Sequence, residues 1–411
     1  MDDAQRVIEL ITRIVDACPE RRCATESERR AQDMLAEAYA DAGAEVDWHA
    51  FRWNTHLFAV LALHFGVVAV GGVLLWVPVG FAPWVGAAMM LLGTVSYFGD
   101  STRAYYWLRR AFPWRPSQNL LATLPATKPL RRRIVLVGHA DATYTGWLFH
   151  PEMIKAGTRP PPIKALGFMR KSLLVVTGAS AVASLLGLAS AASSFWAGGA
   201  TPWHPWLPMA ATLATLPAWI AFVLNAQMVL NNTLVPGAND NLTGCAAGWI
   251  CAERLRSDKP EDVELVFVCS GAEEAGTGGA YCLARDVDWK TDDTVVLAID
   301  SLSNGILQLF IDGEIVRQPP PRWLLEAAER VRDREARFAE VATFEIPSGA
   351  SDAMPFLARH FPAMGIGCVD PDIGAPRHYH WASDTPENVE AEPLAKSLDY
   401  VELLVRELWK A

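Results

Sequence analysis

The hydrophobic residues of this chain are concentrated in two long runs that contain no Asp, Glu, Lys or Arg. The first run fills the 47 positions between Arg52 and Asp100, and the second fills the 68 positions between Lys171 and Asp240. A break rich in Pro, Gly and Trp divides each run into two apolar segments of roughly 18 to 25 residues, long enough to span about 30 Å of hydrocarbon. The pattern therefore predicts four transmembrane helices in two hairpins. Their predicted limits are Leu57–Val77, Phe81–Phe98, Ser172–Trp196 and Trp206–Leu230.

Outside these runs, the pattern alternates between short apolar strands and helices. Three runs lack polar alternation, as is typical of parallel strands that are covered on both faces: Ile134–Val137, Leu265–Val268 and Val295–Ile299. Helices are predicted over Gln5–Ala17, Glu26–Ala42, Leu242–Arg256, Pro321–Glu335 and Pro393–Glu407. The chain is therefore predicted to be an α/β protein, with a mostly parallel central sheet sandwiched by helices and with the two hairpins inserted into it.

Composition narrows the class of protein further. Of the 411 residues, 51% are hydrophobic and sixteen are Trp, which excludes an intrinsically disordered chain. Seven scattered Cys without paired spacing exclude a disulfide scaffold and fit a reducing compartment. The alternative that the apolar segments are core helices of a soluble protein is disfavoured, because four such segments carry no charge at all.

The basic residues predict the orientation of the hairpins. The stretch from Asp100 to Lys171, which joins them, contains thirteen Lys or Arg and three acidic residues. Because cytoplasmic flanks of membrane helices are enriched in Lys and Arg, we expect a multi-pass protein of the cell membrane with its globular part in the cytoplasm. The tips at Pro78–Pro83 and Ala197–Pro205 hold Trp at or beside them and no Lys or Arg. The N-terminus, with early acids and no apolar core, is not expected to be a signal peptide.

Metal-binding types of side chain follow all three predicted strands. The first strand leads into His139 and Asp141, the second into Glu273 and Glu274, and the third into Asp300. In open α/β sheets, ligands bind at the carboxyl ends of the strands. His139 and Asp141 project to the same side of an extended backbone, so the carboxylate could hold the far nitrogen of a metal-bound imidazole. The alternative is a strand-end His beside a helix-capping Asp.

The adjacent acids Glu273 and Glu274 have two possible interpretations. Neighbouring side chains diverge, so one could bind a metal while the other acts as a general base on a bound water. A solvated surface pair is the ordinary alternative, although the buried strand and the Ser-Gly-Ala sequence before them favour function. The pattern alone does not decide which glutamate would have which role.

The remaining candidates become informative only together. Asp240 lies in Pro236-Gly-Ala-Asn-Asp-Asn241 before a predicted helix, where a capping Asp is the ordinary explanation, and Asp300 could likewise be a cap. Near the C-terminus, His378 and His380 could each supply a second imidazole. The residues by themselves leave this choice open.

These motifs, in this order, resemble the di-zinc exopeptidase family that includes the bacterial leucyl aminopeptidases. The matching motifs are His139-x-Asp141, Gly237-Ala-Asn-Asp-Asn241, Glu273-Glu-x-Gly-x-Gly-Gly279, Asp300 at a strand end, and Tyr379-His380 with Asp384-Thr385 four residues on. The resemblance covers residues 1–52 and 116–411 apart from the second hairpin. It implies a zinc-exopeptidase fold whose peptidase domain comprises residues 1–56, 99–171 and 231–411, with hairpins inserted at 57–98 and 172–230.

The resemblance also implies a role for each candidate. Two Zn²⁺ ions would be held by the following ligands: His139 and Asp300 for one ion, Glu274 and His380 for the other, and Asp240 as the bridge. The implied catalytic residues are Glu273 as general base, Asp141 as the orienter of His139, and Tyr379 at a position where some members stabilise the oxyanion. Three ligand carboxylates against two Zn²⁺ leave one positive charge, which a bridging hydroxide would neutralise.

The resemblance implies a zinc aminopeptidase that removes N-terminal residues from peptides, and the apolar runs predict that it is embedded in the membrane. The expected partners are a peptide substrate and the lipid bilayer, and no nucleic acid. One departure affects specificity: this chain has Ala353 where the family commonly has a His after Ser-Asp. Two alternatives are a single-zinc acyltransferase resembling glutaminyl cyclases and a non-catalytic membrane receptor or scaffold on a peptidase fold, as in transferrin receptor. Asp240 follows the last apolar segment by ten residues, at most about 35 Å of chain, which predicts a site near the membrane.

Overall fold

A computed structural model of the chain describes residues 2–158, 167, 169–196, 205–311, 315–347 and 349–410. Most of the second predicted tip, residues 197–204, lies outside the described residues, as does the part of the basic segment at 159–166.

The described residues form ten strands, eight of which make one sheet. The strands are β1 Glu45–Asn54, β2 Trp114–Leu124, β3 Arg132–His139, β4 Tyr144–Thr145, β5 Thr233–Leu234, β6 Val263–Ser270, β7 Thr294–Asp300, β8 Ile306–Ile311, β9 Ala342–Glu345 and β10 Ala363–Val369. The large sheet has the order β1-β2-β6-β3-β7-β10-β8-β9. Its four central strands, β6, β3, β7 and β10, are parallel, whereas β2 runs antiparallel to β1 and β6, and β8 antiparallel to β10. The prediction of an α/β protein with a mostly parallel central sheet is confirmed.

Thirteen α-helices occur in the described residues. They are α1 Asp3–Ala17, α2 Glu26–Asp41, α3 Leu57–Leu74, α4 Ala82–Ser101, α5 Pro151–Thr158, α6 Ser172–Trp196, α7 Trp206–Ala214, α8 Leu216–Asn231, α9 Thr243–Leu255, α10 Gly278–Asp286, α11 Arg322–Arg334, α12 Ala353–Leu357 and α13 Ala391–Leu408. The five helices predicted in the globular part correspond to α1, α2, α9, α11 and α13. Side chains cap the first two, because Asp2 accepts the N–H of Gln5 and Thr25 accepts that of Glu28.

Both faces of the central strands are buried. Along β3, Ile134 and Leu136 belong to the core beneath α1, α2, α9, α11 and α13, and Val135 and Val137 belong to the core beneath α10 and α12. Successive side chains of a strand point to opposite faces, so a strand covered on both sides needs apolar residues at every position. This is why the strand shows no polar alternation in the sequence.

The predicted membrane segments form a separate helical bundle. Three helical stretches of the described residues are long and apolar enough to cross a membrane: Leu57–Leu74, Ser172–Trp196 and Trp206–Asn231, with mean hydropathies of 2.4, 1.9 and 1.8. The last of these comprises α7 and α8, which meet at Thr215 just before Pro217. The fourth predicted segment forms α4, which is not among the three.

Small residues bring the helices of this bundle close together, and many large apolar residues face outward. Gly71 of α3 and Gly86 of α4 are in close contact, since a Cβ on either would lie 2.6 or 2.5 Å from the other's carbonyl oxygen. Ser180 and Ser184 of α6 are buried, whereas Leu185 on the same helix is 68% exposed. Small interhelical residues and an apolar outer surface are typical of helices that pack in lipid.

Candidate metal centre

The carboxyl ends of three neighbouring parallel strands meet at one edge of the sheet. β3 ends at His139, β7 ends at Asp300, and β6 ends at Ser270, shortly before Glu273. Because β3 lies between β6 and β7, their loops emerge side by side. The topology therefore brings the three strand-end motifs together, as expected for a ligand site in an α/β sheet.

Asp240 reaches this edge from an irregular segment before α9. Gly237 has a φ of +60°, a conformation that glycine adopts without steric cost, and the peptide bond between Asp240 and Asn241 is cis. The Asn241 side chain ties the segment to the end of β7: its amide donates to Ile299 O at 2.8 Å and its carbonyl accepts the N–H of Ser301 at 3.2 Å. Asp240 is thereby held beside the strand ends.

The carboxylate of Asp240 lies between two imidazoles. Its Oδ1 is 3.2 Å from His139 Nε2, and its Oδ2 is 3.0 Å from His380 Nε2. His380 Nε2 is also 3.4 Å from Glu274 Oε1, and His139 Nε2 is 3.8 Å from Glu273 Oε2. One carboxylate thus faces one nitrogen from each histidine.

All five predicted ligands take part in compact donor groups. In each group, one donor atom per residue lies within 4.8 Å of the others: His139, Asp240 and Asp300; Asp240, Glu274 and His380; and His139, Glu273 and Glu274. Asp240 belongs to the first two groups. The carboxylate of Asp240 is therefore common to a group that contains His139 and a group that contains His380.

Asp141 is fully buried and contacts both halves of the cluster. Its carboxylate oxygens accept the backbone N–H groups of Glu273 and Glu274, at 3.1 Å each. His139 Nδ1 lies 3.2 Å from the backbone carbonyl oxygen of Asp141 and 3.6 Å from its carboxylate. The contact with His139 expected from the sequence is therefore made mainly by the backbone, and the carboxylate holds the glutamate pair.

Asp384 holds the backbone at Asp240 in the same way. It is buried, and it accepts the backbone N–H groups of Asn239 at 2.8 Å and Asp240 at 3.1 Å. The role of Asp384 was not predicted, because the residues whose N–H groups it binds lie far away in the chain.

Arg21 is a second supporting residue that the sequence did not distinguish from its neighbours. The buried guanidinium donates to Ala140 O at 3.0 Å and to Pro236 O and Gly237 O at 2.7 Å each. These carbonyls belong to the loops of His139 and Asp240. Arg21 therefore connects the two loops, and nothing in the local sequence signals that contact.

Aromatic rings pack around His380. The ring of Tyr379 stacks on it at 3.9 Å between centroids, and Phe149 packs edge-to-face at 4.3 Å. Burial and the carboxylates of the cluster, first among them Asp240, raise the pKa of Tyr379 well above its usual range, so its hydroxyl stays protonated. His378 instead pairs with Ser383 Oγ at 2.7 Å, so His380, and not His378, joins His139 in the cluster.

The cluster contains more negative than positive charge. Burial, reinforced by neighbouring carboxylates, raises the pKa of Glu274 and of Asp300 to about 7 and that of Glu273 well above its usual range. For Asp240, burial is outweighed by the two nearby imidazoles, which lower its pKa. Added positive charge would stabilise the ionised form of several buried carboxylates that lie so close together.

Two buried carboxylate oxygens without a hydrogen-bond donor indicate where a cation fits. Among the described residues, Asp240 Oδ2 and Glu274 Oε1 are buried and accept no aligned hydrogen bond, although both lie near His380 Nε2. Buried acceptors without a donor are rare in native proteins. Carboxylate and imidazole are ligands that Zn²⁺ takes in proteins, so the residues present fit zinc.

Comparisons with known proteins agree with this chemistry. Residues 224–405 match the model of Peptidase family M28, a span that includes all the candidate ligands except His139. Three solved structures share the fold: a zinc aminopeptidase from Bacillus subtilis (13% identity, TM-score 0.58, 98% of this chain and 95% of that chain covered), an aminopeptidase from Aneurinibacillus sp. strain AM-1 (14%, 0.56, 98% and 93%), and a glutaminyl cyclase from Porphyromonas gingivalis (12%, 0.55, 98% and 98%). No curated protein matches the sequence. The family match supports a zinc metallopeptidase hydrolase, and the three structures show the shared fold.

Proposed function

We propose that this protein is a membrane-embedded, two-zinc aminopeptidase, similar to the leucyl aminopeptidases, that removes N-terminal residues from peptides. The position of Asp240 carries the proposal, since its two carboxylate oxygens face His139 and His380 separately. A single-metal site would not need this shared carboxylate. Asp300 on one side and Glu274 on the other complete two donor groups.

The ligand assignment follows the donor groups. One zinc ion would be held by His139, Asp240 and Asp300, and the other by Asp240, Glu274 and His380. When bound, the two ions would polarise the scissile carbonyl and lower the pKa of a water molecule.

The chain's own residues would supply proton transfer and positioning. Glu273 lies in a donor group with His139 and Glu274, but the proposed assignment gives it no ligand role. As the general base it would take a proton from water and deliver it to the departing amine. Asp141 fixes the direction of Glu273 by accepting its backbone N–H. The protonated Tyr379 would donate a hydrogen bond to the oxyanion that develops on the substrate.

The test is hydrolysis of a panel of aminoacyl reporter substrates by the purified full chain, together with zinc analysis. Glu273→Gln is expected to keep two zinc ions per chain and to lose about 10²–10⁴-fold in kcat, the usual contribution of a general base. The exposed Glu261→Gln serves as the matched control and should behave like the wild type. Absence of zinc-dependent turnover, or full activity of Glu273→Gln, would refute the proposal.

A glutaminyl-cyclase-like acyltransferase is the second candidate, favoured by the fold shared with the cyclase from Porphyromonas gingivalis. The two candidates differ in metal content and in product. One zinc per chain, with cyclisation of N-terminal glutamine and no release of free amino acid, would support the cyclase. A receptor or scaffold without activity would bind no zinc, which the complete ligand set argues against.

We further propose that the hairpins span the cell membrane, with the peptidase domain on the cytoplasmic side. The apolar outer surface of the bundle and the basic segment between the hairpins support this topology. The hairpins would be insertions within one domain, since β1 and β2, the strands that flank the first hairpin, pair with each other along their length. Partners would be a peptide and the bilayer, without nucleic acid.

The helix bases come close to the candidate ligands, which motivates a proposal on substrate class. Phe58 at the start of α3 packs edge-to-face on Phe149 at 6.1 Å, and Phe149 packs on His380. The N–H of Trp147, a residue 60% exposed, binds the side chain of Gln227 in α8 at 2.8 Å. We propose that the enzyme prefers apolar peptides or peptides released at the membrane. Equal cleavage of soluble and lipid-anchored peptides of the same N-terminal sequence, measured in bilayer, would count against this preference.

A further inference from the structure

A buried ion pair connects the first hairpin to the loop that carries Glu273 and Glu274. Asp100, at the end of α4, accepts two hydrogen bonds from Arg109, at 2.8 Å each, and both side chains are buried. The third arm of the same guanidinium, Nη1, donates to Ala275 O at 2.9 Å. The pair therefore spans from the base of α4 to the residue that follows Glu274.

The same loop touches both ends of the hairpin formed by α3 and α4. A Cβ placed on Gly276 would lie 3.4 Å from Arg109 Nη2 and 3.7 Å from Cδ1 of Leu57, the first residue of α3. Arg103, just after α4, donates to Thr277 Oγ1 at 3.3 Å. The glutamate loop thus rests directly on the base of this hairpin.

The loop is fixed from two opposite directions. On the side of the sheet, Asp141 accepts the N–H groups of Glu273 and Glu274. On the side of the hairpin, Ala275 O accepts both the guanidinium of Arg109 and the indole N–H of Trp53, the latter at 3.1 Å. The two glutamates lie between these anchors, so a shift of either anchor moves both carboxylates.

We propose that Arg109 is a positioning residue for Glu273 and Glu274, and that with Asp100 it sets the placement of the glutamate loop relative to the membrane hairpin. The inference rests on the proposed function for its effect on turnover, but not for its effect on the loop. A buried ion pair contributes little net stability compared with well-packed apolar side chains, which fits a role in fixing geometry. Arginine suits this role because its planar fork can bind Asp100 and the Ala275 carbonyl at once.

The test is Arg109→Lys in the full-length protein. Lysine keeps a positive charge beside Asp100, but its single ammonium does not reproduce the paired bonds together with the bond to Ala275 O. We expect kcat to fall by about 10–100-fold with KM little changed, as for outer residues that hold metal ligands. In the metal-free protein, amide hydrogen exchange is expected to become faster in residues 271–278 and to stay unchanged elsewhere in the sheet.

The matched control is Arg133→Lys, at the opposite end of β3 from His139. Arg133 also binds a carboxylate, that of Glu264 at 2.5 Å, but six residues of extended strand place it about 20 Å from the cluster. This variant should keep wild-type turnover and wild-type exchange in residues 271–278. It reports the cost of replacing a paired arginine as such.

Trp53→Phe keeps the proposal testable if Arg109→Lys does not fold. It removes the other donor to Ala275 O and should also accelerate exchange in residues 271–278. Wild-type exchange in both variants, or acceleration spread evenly over the sheet, would overturn the positioning role. If the wild type shows no turnover, the proposed function fails while the exchange experiment still decides the role of Arg109.

Discussion

Asp141 offers the sharpest test of how the cluster is supported. Its carboxylate accepts two consecutive backbone N–H groups, of Glu273 and Glu274, at 3.1 Å each, and it is fully buried. In Asp141→Asn, the amide oxygen accepts one of these groups, and the amide NH₂ faces the other. One buried N–H then lacks an acceptor, and a donor is forced against it.

The size of the effect follows from the one backbone N–H group that Asp141→Asn leaves without an acceptor. Leaving one buried donor unsatisfied costs about 1–3 kcal/mol. In the metal-free protein, part of this cost is offset, because Asp141 is among the charges that raise the pKa of Glu28 and Glu274 and its removal relieves repulsion. With zinc bound, the charge of the metal balances the surrounding carboxylates, so the removal of Asp141 no longer relieves repulsion. We therefore expect a stability loss near 1 kcal/mol without metal and a drop in zinc affinity of about 10–100-fold.

Two measurements check this expectation. Zinc affinity is measured by competition with a chromogenic chelator, and the free energy of unfolding of the metal-free protein by denaturant titration. Asp262→Asn is the control, since that carboxylate pairs with Arg131 at the opposite end of the sheet. Wild-type zinc affinity in Asp141→Asn would refute the reasoning, as would a stability loss that is larger without zinc than with it.

Three further outcomes are expected. Chelation of zinc should abolish hydrolysis, and it should lower the unfolding midpoint by an amount that grows with the zinc concentration before chelation, because zinc stabilises only the folded chain; an unchanged midpoint would contradict the ligand assignment. Gly279→Ala should cost about 1–3 kcal/mol in unfolding free energy, since its Cβ would overlap Asn119 Oδ1 and Gly271 O, whereas Gly157→Ala, with nothing near its Cβ, should be neutral or slightly stabilising. The full chain should stay with the membrane pellet after alkaline carbonate washing, and its release into the supernatant would argue against spanning hairpins.

Local pattern predicted three of the four central parallel strands, which are buried along most of their length. The strand around Ile134 is apolar at successive positions because helices cover both faces of the sheet, so its presence and its parallel setting were predictable. The outer strands β1, β2 and β8 were not predicted, and neither was the central strand β10, although it is buried along its whole length. In β1, exposed and buried positions do not alternate regularly, because β1 is an edge strand and only its C-terminal end, with Phe51 and Trp53, joins a buried cluster. In addition, β1 pairs with β2, which follows it in the sequence only after the whole first hairpin.

Three candidate ligands, His139, Glu274 and Asp300, were predictable as residue types at or just after strand ends, whereas Asp240 and His380 were assigned as ligands through the family resemblance. Which residues hold them was decided by the tertiary structure alone. Asp141 meets Glu273 across 132 positions of sequence, and Asp384 meets Asn239 across 145. The residues by themselves left the choice between His378 and His380 open and the family resemblance implied His380, which the fold places next to Asp240. The physical reason is that a residue's type and local periodicity reflect its own burial and chemistry, whereas its partner depends on how distant segments close on one another in space.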